Sequence, residues 1–130
     1  MTVVSREIPQ NEWPAALEEF SRDHRAWLAT VERIDSAGSY HVEAIERPLG
    51  AVTPEIAARR VTGISIQFQP DSHGRNVVHV DAPAHLRIER SDMGAARALE
   101  IEDKKGERTR IRFRATPPPE ALDGMAPGEI

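Results

Sequence analysis

Cysteine is absent from the 130 residues. Disulfides, thiolate zinc sites, iron–sulfur clusters and thiol catalysis are excluded with it. No apolar run approaches the ~20 residues that span a bilayer. The N-terminal stretch MTVVSREIPQNEWPAALEEF has no basic segment followed by an apolar core. No secretory signal is therefore visible, and a cytoplasmic location is the default expectation. Basic charge is not in excess: 17 lysines and arginines stand against 21 acidic residues, a formal net of −4. That balance argues against a general nucleic-acid binder, which is expected to be strongly basic, while leaving room for a local basic patch. There is no internal repeat, no Walker loop and no glycine-rich dinucleotide loop. Gly38, Gly50, Gly63 and Gly74 stand singly, as turn or bulge glycines do. Ser65 lies inside a strand pattern and lacks the tight, glycine-flanked setting of a catalytic serine.

The composition, 39% hydrophobic and 29% charged, is that of one globular domain with a modest core. Trp13, Ala16, Leu17 and Phe20 recur at i, i+3, i+4 and i+7, which predicts a helix over about residues 11–24. Asn11 is the expected N-cap, and Pro14 falls in the first turn, where its missing N–H breaks no bond. His24 and Arg25 follow at the end, where positive charge suits the helix dipole. The period then changes to two. Strands are predicted over 27–34, 40–46, 61–69, 77–81, 86–90, around 99–102 and over 108–114. Residues 47–60, punctuated by Pro48, Gly50 and Pro54, have no clear period, and Pro54 to Arg60 reads as one helical turn or a mobile loop. Pro70 to Gly74 reads as a turn. Pro83 marks a break between two strands. Asp103 to Gly106 reads as a turn with Gly106 in the left-handed region. Short connections favour sequential antiparallel pairing. The expected fold is α+β and β-dominated: one helix on a six- or seven-stranded antiparallel meander, curled into a small barrel or half-barrel. Residues 1–115 form the single domain, and the Pro-rich residues 116–130 read as an extended or disordered tail.

The segment IPQNEWPAALEEFSRDHRAWLATVE, with VTGISI, HVDAPAHLRIE and ALEIEDKKGERTRIRFR, resembles a bacterial family known as domain of unknown function 5335. The resemblance runs from Ile8 to Arg114 and rests most on Glu12-Trp13-Pro14, on Phe20-Ser21-Arg22 with His24, and on Arg112-Phe113-Arg114. It implies a small bacterial protein and brings no activity, cofactor or catalytic residue.

Three groups of residues are candidates for function. His79 and Asp81 are two apart on one strand and so share a face, and His85 follows the Ala82-Pro83 break. Two imidazoles and a carboxylate could hold a divalent metal, or a general base with its orienting acid, although the spacing matches no zinc motif. Arg108, Arg110, Arg112 and Arg114 alternate onto one face. With the turn centred on Lys104-Lys105, Glu102 lies opposite Arg108 and Glu100 opposite Arg110. Arg112 faces Ala98, which leaves Arg112 and Arg114 as anion-binding candidates. Trp13 and Trp27 read better as packing residues than as a ligand cage. The resulting expectation is a non-enzymatic accessory or binding domain with no cofactor and an unidentified partner. The alternatives are a metal-assisted or acid–base enzyme using His79, Asp81 and His85, and a structural or regulatory homodimer formed through an exposed sheet edge.

Overall fold

The structure, a computed structural model, describes residues 3–70, 76–91 and 96–113. A 3-10 turn, Gln10–Glu12, runs directly into helix α1, Trp13–Asp23. The helix lies within the predicted span, but its start differs. Asn11 sits inside the 3-10 turn, Glu12 takes the N-cap position, and no side chain caps it. The helix begins this way because the Glu12 N–H is taken up by the Pro9 carbonyl at 2.9 Å, while Pro14 stands in the first turn with no donor to satisfy. The apolar stripe is buried as expected, with Trp13, Leu17 and Phe20 at 3% exposure or less. Trp13 Nε1 donates to the Ile8 carbonyl at 2.8 Å, so the indole carries no unmet donor into the core.

Eight strands follow one another among the described residues: β1 (Val3–Glu7), β2 (Leu28–Ile34), β3 (Tyr40–Ala57), β4 (Arg60–Phe68), β5 (Val77–Asp81), β6 (Pro83–Ser91), β7 (Ala96–Asp103) and β8 (Arg108–Phe113). They form one antiparallel sheet in the order β1-β6-β7-β8-β2-β3-β4-β5. The β-dominated, antiparallel expectation holds at that level. Its details need correction. There are eight strands instead of six or seven. The sheet is two meanders, β2–β5 and β6–β8, joined where β8 pairs with β2. No ladder among the described residues joins β5 to β1, so the sheet is not closed into a barrel.

The two missed pieces have physical reasons. β1 is a polar edge strand, exposed from Val4 to Glu7, with no alternation for a pattern reading to find. Residues 47–57 continue β3, so of the turn or loop read at Pro54 to Arg60 only Ala58 and Arg59 form a loop. The strand changes partner midway, pairing with β2 up to Pro48 and with β4 from Leu49 onward. Glu46, at φ 46°, turns the backbone just before the change. A residue paired on one side only can lack an N–H without leaving an acceptor unmet, which is how Pro48 and Pro54 are tolerated. Leu49 and Val52 from this stretch are fully buried.

The predicted core residues Ile64, Ile66, Phe68, Leu86, Ile88, Leu99, Ile101 and Ile111 are all buried, and Phe113 packs partly buried against them. Helix α1 lies on β3. There the Ser21 hydroxyl accepts the Val52 N–H at 2.8 Å and donates to the Leu17 carbonyl at 2.7 Å. The β7–β8 turn forms as read, with Gly106 at φ 87° and the Asp103 carboxylate accepting from the N–H groups of Lys105 and Glu107. The chain does break before Pro83. Ala82, at φ 50°, makes the corner, its N–H bonding the Thr62 carbonyl and its carbonyl accepting from Lys104 N–H. Pro83 itself opens β6. A side chain from the middle of the sheet reaches the free edge: Arg33 of β2 donates to the His79 carbonyl of edge strand β5 at 2.9 Å and lies 3.5 Å from Glu107. The predicted turn at Pro70 to Gly74 falls largely outside the described residues, as do Arg114 and the tail 116–130. No helix among the described residues is long and apolar enough to cross a membrane.

Candidate functional site

The histidine trio is not brought together. Val78 and Val80 of β5 turn inward, and His79 and Asp81 are exposed on the other side. His79 Nε2 meets Glu55 Oε1 of β3 at 2.7 Å, and the second Glu55 oxygen accepts the Ser65 hydroxyl at 2.7 Å. The Ser65 and His79 hydrogen bonds hold the Glu55 carboxyl below its usual range. Gly63 makes room for this pair, since a Cβ there would lie 2.5 Å from Glu55 Oε1 and 2.9 Å from His79 Nε2. His85 of β6 instead bonds Glu7 of β1 at 2.6 Å, and that bond lowers the Glu7 carboxyl. Among the described residues no three histidine, aspartate or glutamate side chains are arranged to hold a metal. The Ser65 hydroxyl is bonded to the carboxylate and makes no bond to the imidazole, so the contact that would activate a nucleophile is missing.

In the arginine strand, Arg110 and Arg112 are matched by the sheet's own acids, while Arg108 enters no ion pair among the described residues. The predicted registers Glu102–Arg108, Glu100–Arg110 and Ala98–Arg112 are all present. Directly opposed positions build a row of alternating sign across five strands, Glu7, Arg87, Glu100, Arg110 and Glu32. Arg87 Nη1 reaches Glu100 at 3.0 Å and Glu102 at 3.1 Å. Arg110 takes Glu89 in a fork at 2.6 and 2.9 Å, a nearer partner than the predicted Glu100 at 3.8 Å. Arg112 finds its acid on the other neighbour: Nε donates to Glu32 of β2 at 2.8 Å. Burial alone would raise the Glu32 carboxyl, but hydrogen bonds from the Tyr40 hydroxyl and Arg112 outweigh it and hold the group low. Arg112 is therefore occupied within the sheet, and Arg114 lies outside the described residues.

A groove of about 410 Å³ runs between α1 and β6. It carries both signs, Arg6 and Arg90 against Glu12, Glu19 and Asp23, with Arg6 and Glu12 3.9 Å apart. Its inner end is an aromatic cluster. His24, 5% exposed, stacks on Phe113 at 4.6 Å, and Trp27 meets it edge-on at 4.7 Å. His24 Nδ1–H donates to the Phe20 carbonyl at 2.8 Å, while burial pushes the imidazole's pKa down. Trp13 is fully buried in the core, so the two tryptophans do not form a shared cage.

A larger cleft, about 610 Å³, lies at the tip of the β3–β4 hairpin. Three walls enclose it. The hairpin supplies Ile56, Arg59, Arg60 and Val61, the 3-10 turn and the first turn of α1 supply Gln10, Asn11 and Pro14, and the Ala82-Pro83 corner with Lys104 of the β7–β8 turn supplies the third. Its charged lining residues are all cations, and none of the three enters an ion pair among the described residues. The backbone here is also unusual. Ala58 and Arg59 both have positive φ, 51° and 64°, in a two-residue hairpin loop, and Ala82 across the cleft stands at 50°. Non-glycine residues held in this region cost free energy and cluster at functional sites. Sequence reading missed the site because its cations come from a stretch read as helical turn or loop and from a turn more than forty residues later. Asn-Gly chemistry, the usual sign of such a loop, is replaced by Ala-Arg. Comparison with protein-family models, with curated proteins and with solved structures finds no match for the chain.

Proposed function

We propose that the protein is a small non-enzymatic binding domain that takes an anionic ligand in the cleft at the β3–β4 hairpin. One observation carries this reading: Arg59, Arg60 and Lys104 converge on one cleft with no acidic partner among the described residues. The chain's net charge is −4, and Arg87, Arg110 and Arg112 of its sheet face are paired with glutamates. Three unmatched cations on such a molecule repel one another, and an anion relieves that repulsion while offering the guanidinium forks their bidentate partner. The resemblance to domain of unknown function 5335 belongs to this reading as an implied bacterial origin and adds no activity to it.

Inorganic pyrophosphate, titrated into the full chain and followed by calorimetry, is the direct test. The expected result is saturable binding that weakens with added salt. Binding should disappear in the Arg59→Ala, Arg60→Ala, Lys104→Ala triple variant, with the melting temperature nearly unchanged because all three side chains are exposed. No binding by the wild-type chain, or equal binding by the variant, overturns the reading.

A further inference from the structure

The cleft offers more than charge. Its volume falls within the ~300–1,000 Å³ of small-molecule sites, and a lone phosphate held by the cations would leave the rest of it filled with water. The surfaces that remain have their own chemistry. Ile56, Val61 and Pro83 supply apolar area, and Gln10 and Asn11 of the 3-10 turn line the cleft with primary amides. Each amide offers a carbonyl acceptor and two N–H donors, the complement of a heterocycle edge that carries both. Cations on the hairpin and turn walls, with amides on the helix wall, make a site with two different ends.

We infer that the ligand is an organic diphosphate of nucleoside-diphosphate size. Its phosphates lie between Arg59, Arg60 and Lys104, and its heterocyclic body rests on the apolar wall with its edge against Gln10 and Asn11. Three cations match the charge of a diphosphate ester better than that of a monophosphate. The apolar wall gives the body a reason to leave water, a contribution that pyrophosphate lacks. The two left-handed hairpin residues, Ala58 and Arg59, fix how the loop presents the Arg59 side chain to the cleft. This inference rests on the anion-binding reading and goes beyond it in naming the body of the ligand.

The test compares ADP, geranyl diphosphate, inorganic pyrophosphate and adenosine on the full chain by calorimetry. The expected result is that ADP binds at least tenfold more tightly than pyrophosphate and that adenosine alone does not bind. A Gln10→Ala, Asn11→Ala double variant should lose most of ADP's advantage over pyrophosphate, the apolar wall keeping the remainder, and leave pyrophosphate binding unchanged, which also shows that the variant is folded. Equal affinity for ADP and pyrophosphate overturns the organic body while the anion site stands. Geranyl diphosphate binding as tightly as ADP overturns the heterocyclic body. A chain that binds none of the charged probes overturns both readings.

Discussion

Two single residues have titrations that the fold should make visible. His24 is buried, and burial depresses its pKa below the ordinary value of 6.5. The native state then keeps the imidazole neutral at pH values where the unfolded chain has already taken a proton. Between the folded and unfolded pKa values the unfolded state binds more protons, so stability rises with pH across that window. It should fall as the solution is acidified below about pH 6.5. Denaturant melts of wild type and His24→Leu over about pH 5 to 7.5 check this, the variant showing a flatter dependence. An unchanged slope would mean that another group sets it. Glu32 behaves in the opposite sense. Its lowered carboxyl contributes stability that is present above the unfolded carboxylate pKa and lost on acidification through the folded one. Glu32→Ala should lower the melting temperature modestly, because Arg112 and the Tyr40 hydroxyl lose their shared acceptor but, being exposed, find water in its place. Thermal melts at neutral pH measure it.

At the scale of the element, the β3–β4 hairpin holds the main surprise. Its loop residues Ala58 and Arg59 are both left-handed, a conformation that costs a non-glycine residue roughly 1–2 kcal/mol. Ala58→Gly should therefore raise stability by about 1 kcal/mol, less the backbone entropy that glycine gives the unfolded chain. A lower melting temperature would show the loop to be relaxed. Gly63 makes the converse case. A methyl group there meets the far ends of Glu55 and His79 and the Val80 carbonyl at 3.2 Å. Gly63→Ala should part the Glu55–His79 pair, and the Glu55 carboxyl should move back toward its usual range in a carbon-detected titration. The same elements show what a sequence can disclose. α1 and the β7–β8 hairpin were legible because an apolar stripe at 3.6 residues and an Asp-Lys-Lys-Gly turn determine local structure by themselves. The second half of β3 was not, because its alternation is broken by two prolines and a change of partner strand. The cleft was hidden with it. Arg112 was read correctly in its register with Ala98, but its acid sits on β2, across a ladder that no local pattern announces.

For the whole molecule, the decisive feature is the free edge of β5, which no further ladder covers among the described residues. Arg33 of β2 ties that edge to the rest of the sheet by one charge-assisted bond to the His79 carbonyl, with an ion pair to Glu107. Arg33→Ala should cost about 1–2 kcal/mol, given that both partners are partly solvated. It should also speed amide hydrogen exchange in β5 before any change is seen in β7 and β8. Uniform exchange across the sheet would show that the β5 edge is held by other contacts. The far edge raises a different matter, one of timing. β1 pairs with β6, and its residues find partners 80 or more positions further along the chain. At a synthesis rate of ~5–20 residues per second, β1 waits roughly 4–16 s after it is made before β6 exists to receive it. Ser5, Arg6 and Glu7 give it little apolar surface with which to recruit another nascent chain meanwhile. The strand hardest to read in the sequence is thus suited to remaining alone in water until the rest of the sheet has been made.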